Sequence, residues 1–321
     1  MNFYYIYKAL AHPENNGYVA PFTLDERLMH VAEAKKQLGT RFQWICDSME
    51  NDLKHALGDR PNSEFVIDPE GKIVVARQWS SPRDLRADLE EIVGTVDRPT
   101  TVADIGMKPM EPPKTAPKGV VPRVKLPGQM SPVLVEPIVE DEQNTEPFYA
   151  KLRAEVDSGF ARNGDGKLYL GFFLDPLYKV HWNNRAAPVT FEISDQSGVV
   201  VSDQSGRAPD VKIDADADPR EFLLDLSDDT DDPQPPGRQE FILTVRYFAC
   251  DDAETFCKPM TQKYCVTLNR DRDGGSRRSS GSRRSPGRFQ SEGRSGSRSQ
   301  MTPEQRRRMQ ERMRRQRQQR Q

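Results

Sequence analysis

Ten prolines fall between Val96 and Pro147, in pieces such as KPMEPPKTAPKG and VLVEPIVEDEQ. Proline removes a backbone donor and clashes with a helix interior. No helix and no central strand is therefore expected through this stretch. It predicts a semi-rigid linker, with room for one short strand near Val133–Val135, and it divides the 321 residues into separate folding units. Charge divides the chain as well. The total is −2, yet residues 271–321 hold 16 Arg against 5 Asp/Glu, a net of +11, which leaves −13 on residues 1–270. An acidic body carries a basic tail. GGSRRSSGSRRSPGRF has nothing with which to build a core, and the helix-like start at Thr302–Pro303 is followed by self-repelling arginines. Residues 271–321 are expected to be disordered.

Residues 1–95 alternate strand and helix signals. Phe3–Tyr7 is an aromatic, β-branched run of strand composition. FTLDERLMHVAEAKKQL predicts a helix with a Thr23–Glu26 capping box, its inner face drawn from Leu24, Leu28, Val31 and Leu38. His30 and His55 are expected at helix surfaces. RFQWIC predicts a strand, and SMENDLKHALG a short helix with Leu53, Ala56 and Leu57 inward. EFVIDPEGKIVVA predicts a hairpin. SPRDLRADLEEIV predicts a helix capped by Ser81, with Leu85, Leu89, Ile92 and Val93 as its stripe. The order predicts an α/β layer on a mixed sheet. Residues 148–270 instead alternate inward and outward positions, as in KLYLGFFL, VTFEI, EFLLDL and EFILTVRYF. Seven or so short strands in about 120 residues predict an all-β sandwich.

Three of the four cysteines lie in YFACDDAETFCKPMTQKYCVTL: Cys250, Cys257 and Cys265. FILTVRYFA and QKYCVTL read as hairpin strands, with Cys250 and Cys257 bracketing their connection. A hairpin can bring such positions to the ~4.4–6.8 Å Cα separation that a disulfide needs. So short a loop gives a bond worth roughly 2–3 kcal/mol. The residues alone leave three states open: a structural staple, a redox disulfide, or two reduced thiols. A metal centre is not expected, because no histidine lies near and the spacing is not that of a zinc knuckle. Cys265 alternates away from Tyr264, Val266 and Leu268. Cys46 ends a strand and reads as an inert buried thiol.

LYLGFFLDPLYKVHWNN followed by the cysteine stretch resembles the N-terminal periplasmic domain of the disulfide reductase DsbD, over about 120 residues. Trp182, Asn183, Asn184, Cys250, Cys257 and Pro259 fill that family's motif positions, with six residues between the cysteines in place of five. The resemblance implies an immunoglobulin-like sandwich whose Cys250–Cys257 pair is catalytic. YIYKALAHPENNGY, ICDSMENDLKHALGDRPNSEFVIDPEGKIV and the helix after them resemble the iodothyronine deiodinase branch of thioredoxin-like proteins, over residues 3–93. That resemblance implies a thioredoxin-like domain lacking its first strand and helix, with the nucleophilic cysteine or selenocysteine and a signal peptide encoded ahead of Met1. It marks His12 for proton or substrate handling and Pro61 as the cis proline beside a thioredoxin-type site.

Together the resemblances imply a periplasmic or otherwise extracytoplasmic thiol–disulfide redox protein. Its partner would be a thiol or disulfide client protein, and no cofactor is needed. One alternative is a non-catalytic binding or scaffold protein with a structural disulfide. Another is a deiodinase-like oxidoreductase with its nucleophile upstream. The arginine tail has no aromatic platform or binding fold beside it, so nucleic acid is not expected there; the tail reads as solvated or associated with the acidic body, with an acidic partner as the alternative. RNGDGKLYL lacks the ligands of a calcium loop and predicts a turn. DADADPREFLLDLSDDTDD predicts a solvated acidic loop. No apolar run is long enough to span a membrane.

Overall fold

Alternating inward and outward residues govern the chain from Met130 onward. A computed structural model describes residues 1–11, 13–101, 103–104, 119–140, 146–228 and 239–274. The second unit is a β-sandwich. One sheet runs β10 (Val199–Val201), β13 (Arg220–Asp228), β7 (Asp165–Leu174), β6 (Ala150–Asp157) and the start of β5 (Met130–Ile138). The other holds the rest of β5, then β15 (Cys257–Arg270) and β14 (Glu240–Asp251). Along the far edge of β14 lie β8 (Val180–Asn183) and β9 (Thr190–Ser197), followed by β12 (Ala215–Asp216) and β11 (Ser205–Arg207). Leu168, Leu170 and Phe172 from one sheet and Phe241, Leu243 and Val245 from the other are fully buried in a shared core. Tyrosine hydroxyls tie the layers together. Tyr264 Oη donates to the Ala150 carbonyl at 2.6 Å, and the Ala150 N–H donates to Tyr247 Oη at 3.1 Å.

The sandwich starts earlier than expected. β5 lies inside the proline-rich stretch and is its first strand. Met130–Pro132 pair with β6, while Val133–Ile138 pair with β15. Each half of β5 is bonded on one side, and edge-like positions accept Pro132 and Pro137. RNGDGKLYL folds as a turn: α4 (Phe160–Asn163), a left-handed Gly164, then β7. The residues of the linker from 105 to 118 and of the basic tail from 275 onward lie outside the described residues.

The N-terminal unit contains β1 (Tyr4–Tyr7), α1 (Leu24–Leu38), β2 (Gln43–Cys46), α2 (Asp52–Ala56), β3 (Glu64–Ile67), β4 (Ile73–Arg77) and α3 (Pro82–Val93). The types and order match the sequence reading, but the single mixed sheet does not form. β1 and β2 make a parallel ribbon and β3 and β4 an antiparallel one, with no ladder joining them. Both N-caps form, but Glu26 reaches back to the Phe22 N–H and not to Thr23, so the expected capping box is half made. Thr23 Oγ1 accepts from the Glu26 N–H, and Ser81 Oγ accepts from the Asp84 N–H. The stripe of α3 is half-buried.

The inner faces of α1 and α2 differ from expectation. Leu24 and Leu28 are 48% and 46% exposed, whereas Glu26, Arg27, His30 and Val31 are buried. On α2, Leu53 and Ala56 face solvent and Lys54 is buried. The reason lies on the outer face of β6. Its alternation places Leu152, Ala154 and Val156 in the core, and it points Lys151, Arg153 and Glu155 outward. All three charged side chains are covered. Lys151 pairs with Glu26 of α1 and lies 4.7 Å from the centre of the Phe22 ring. Glu26 also accepts from the Phe22 N–H at 2.7 Å and from Tyr178 Oη at 3.0 Å. Arg153 pairs with Glu155 and, at 3.2 Å, with Glu14. Lys54 pairs with Asp273, which also accepts from Asn51 Nδ2 at 3.0 Å. Residues 271–274, expected to belong to the tail, thus form part of this seam. Phe22 adds apolar contact against Phe148 and Tyr264.

His30, expected at the surface, is 3% exposed and bonded through Nδ1 to Tyr7 Oη at 2.8 Å. Burial lowers its pKa to about 4, with the charges of Lys151 and Arg27 acting in the same direction and Glu26 opposing.

Two predictions follow from the seam. Removing one member of the Glu26–Lys151 pair strands a buried charge, so Glu26→Ala or Lys151→Ala should cost roughly 3–5 kcal/mol. The combined Glu26→Leu/Lys151→Met change should recover most of that loss in urea denaturation. For His30, folded and unfolded states are both neutral above the ordinary pKa of about 6.5. As pH falls from there towards 4, the unfolded chain takes up a proton that the folded one refuses. Stability should drop across that window by on the order of 3 kcal/mol from this group. His30→Gln should remove that component when denaturation midpoints are compared between pH 7 and pH 4.5.

Candidate functional site

The β14–β15 hairpin stays in register from Glu240–Thr267 to its last pair, Cys250 opposite Cys257. Direct cross-strand partners are close enough to bond, and the two cysteines form a disulfide. Asp251 holds the six-residue connection. Its carboxylate accepts from the N–H groups of Thr255 and Phe256 at 2.7 and 2.8 Å, and from Thr255 Oγ1 at 2.7 Å. These bonds, led by that from Phe256, hold its carboxyl below the usual range. Glu254 takes the left-handed conformation that closes the turn. The Asp252 N–H donates to the Lys179 carbonyl at 2.9 Å, tying the connection to β8.

The two sulfurs have different surroundings. Cys250 is 8% exposed, between Cys257 on one strand and His181 on β8. Cys257 is exposed. Next to it, Lys258 pairs with Glu146 at 2.5 Å and lies over the Phe256 ring, which packs against Tyr149. His181 Nδ1 is 3.0 Å from an Asp252 carboxylate oxygen.

The Trp182-Asn183-Asn184 segment of β8 and the turn after it is built into this end of the sandwich. Trp182 is buried against Tyr247 and donates through Nε1 to the Asp218 carbonyl at 2.7 Å. Asn183 turns outward, and its Nδ2 lies 3.2 Å from Cys257 Sγ. Asn184 donates to Asp216, which pairs with the buried Arg220 at 2.8 Å. The acidic loop is thus partly internal rather than simply solvated. A shallow cleft opens beside Asn183, between Pro188 and Pro209.

The remaining sequence candidates lie elsewhere. His12 is outside the described residues. Pro61 is exposed just before β3, and the Arg60–Pro61 bond is trans, not cis. Trans is the favoured isomer by about 0.5–1 kcal/mol, and the Arg60 carbonyl accepts from Lys8 Nζ. Cys46 is half-buried, and burial raises its pKa, as suits an unreactive thiol. Cys265 is half-buried on the opposite face from Tyr264. Three ligating atoms of His55, Asp59 and Asp273 lie within 4.8 Å of one another. The Lys54 ammonium already occupies Asp273, so this cluster reads as ion pairing. Comparison with models of known protein families, with curated proteins and with solved structures found no match.

Sequence reasoning found the cysteine pair but missed the contact from Asn183 to the sulfur. That contact joins residues 74 positions apart and depends on β8 docking beside the end of β14. The pairing has a direct check. Unreduced protein in denaturant should titrate two thiols, Cys46 and Cys265, and four after reduction. Four thiols before reduction would contradict the bond.

Proposed function

We propose that the chain is an extracytoplasmic thiol–disulfide exchange protein acting through Cys250 and Cys257. The observation that carries this reading is the asymmetry of the pair. Cys257 is exposed at the end of the hairpin, whereas Cys250 is buried behind it. An exposed sulfur can be attacked or can attack, and access is a first requirement for exchange. The disulfide itself suits an oxidising compartment. Among the described residues, no helix is long and apolar enough to cross a membrane.

The chemistry balances within the pair and its client. In the reduced form, the Cys257 thiolate attacks one sulfur of a client disulfide. A mixed disulfide forms, and the client's other sulfur leaves as a thiolate that takes a proton from water. Cys250, as thiolate, then attacks Cys257 Sγ and releases the second client sulfur. The client gains two electrons and the protein returns to the disulfide. A dithiol reductant, running the same steps backwards, restores the reduced form.

The sequence resemblance of residues 168–184 and 247–268 to the N-terminal domain of DsbD is in keeping with this reading. For the N-terminal unit we take the deiodinase-like resemblance as the reading. The order β1, α1, β2, α2, β3–β4 hairpin and α3 is compatible with it, while the two ribbons share no ladder. That unit would present the partner side of the exchange, with the basic tail available to an acidic partner.

The test is a redox titration of the full chain against glutathione buffers. Exchange predicts a potential between about −180 and −270 mV, the range of exchange proteins, whereas a value below about −300 mV marks a structural bond. The Cys250→Ser/Cys257→Ser variant should keep its fold and lose no more than roughly 2–3 kcal/mol of stability. Global unfolding of that variant would favour the staple.

A further inference from the structure

We infer that Asn183 makes Cys257 the nucleophile of the reduced pair by donating its Nδ2–H to the Cys257 sulfur. The inference deepens the exchange reading and rests on it. Three observations support it. The Nδ2–Sγ distance is 3.2 Å. The amide orientation is fixed independently, because Asn183 Oδ1 accepts from the Arg185 N–H at 3.0 Å. A flipped amide would turn an NH2 group towards that N–H, so the donor end must face the sulfur. Asn183 also belongs to β8, which is laddered to β14 at Ala249, Cys250 and Asp251, so the donor is carried by the same rigid sheet as the cysteines.

A hydrogen bond to the charged form of an acid favours ionisation. In the reduced protein the Asn183 N–H meets a sulfur that is neutral as a thiol and charged as a thiolate. It therefore raises the thiolate fraction of Cys257 near neutral pH, and thiolate is the reactive form. Cys250 lies deeper, where burial favours the thiol. The pair thus has an order, with Cys257 attacking and Cys250 resolving.

The other charged and titratable groups at this end are engaged among themselves. His181 pairs with Asp252, Lys258 with Glu146 beside Tyr149, and Arg185 with Asp214. Asp251 is bonded within the connection. Glu254 projects from the turn as an exposed anion. Asn183 is a positioning residue in this scheme, since it acts through Cys257 and touches no client.

The experiment measures iodoacetamide alkylation of the reduced, folded full-length chain as a function of pH, resolved by peptide mass spectrometry so that Cys257 is read apart from Cys46, Cys250 and Cys265. Wild-type Cys257 should titrate below the ordinary thiol value of about 8.5. Asn183→Ala should slow its alkylation at pH 7 by about tenfold, the scale of one hydrogen bond to a charged group. Asn183→Asp separates donation from mere turn structure. It keeps an acceptor for the Arg185 N–H but puts a carboxylate against the sulfur, so it should be slower still. An Asn183→Asp profile that overlays the wild type would overturn the inference, as would wild-type Cys257 reacting no faster than Cys250. The comparison uses chemically reduced protein, so it can be read even if glutathione proves unable to reduce the native disulfide. That second result would end the exchange reading without deciding the role of Asn183.

Discussion

The outer face of β6 sets the arrangement of everything N-terminal to the sandwich. Lys151, Arg153 and Glu155 are as buried as the core residues they alternate with. Ions held away from water are costly unless each has a partner in good geometry. Glu26, Glu14 and Tyr178 supply those partners or bind them, and Phe22 covers the ammonium of Lys151. Such a seam adds little adhesion, because separated charges would regain their water. Its effect is on placement. Shifting α1 by one turn would face Lys151 with the wrong side chain and leave a buried charge alone. Adhesion comes instead from the aromatic contact of Phe22 with Phe148 and Tyr264.

The same constraint explains why the N-terminal unit is unusual taken alone. Parallel strands are ordinarily covered on both faces, and an isolated two-stranded ribbon is marginal in water. Yet Phe3, Tyr5 and Phe42 of the β1–β2 ribbon region are each at least 42% exposed, and so are Leu24 and Leu28 on α1. The polar side of α1 meets the sandwich, so its leucines are left outside. The unit gains its order from docking at least as much as from its own small core. Asp273 strengthens that dependence, because it reaches α2 from beyond the end of β15.

Much of the sandwich was legible in the sequence. β7, β9, β13, β14 and β15 each announce themselves by alternation, and the caps of α1 and α3 by Thr23 and Ser81. The failures share one cause. AKLRAEVD, the strand β6, is missed, because its alternate positions are charged and nothing local says that ionic partners will cover them. α1 reads as a leucine-faced helix, because the pattern does not reveal that its neighbour is a row of charges. β5 is masked by Pro132 and Pro137, whose tolerance follows from its change of partner between sheets. In the candidate site the cysteine pair is visible because its partners are seven residues apart. Asn183 enters the sequence reading only through the resemblance to the DsbD domain, since its contact with sulfur needs the tertiary fold.

The position of the disulfide on the hairpin matters as much as its chemistry. A bond deep between the sheets could open only by disturbing the core, which would make exchange slow however favourable it was. Here the ladder of β14 and β15 is continuous up to the cysteines, and beyond them lies only a six-residue connection closed by Asp251. Opening the bond therefore asks the short connection to relax and leaves Trp182, Tyr247 and Tyr264 where they are. The ladder of β8 on β14 meanwhile keeps Asn183 beside the end of the hairpin. On the proposed exchange, the exposed Cys257 and the connection before it are the parts asked to move, while Cys250 stays on a strand laddered on both sides.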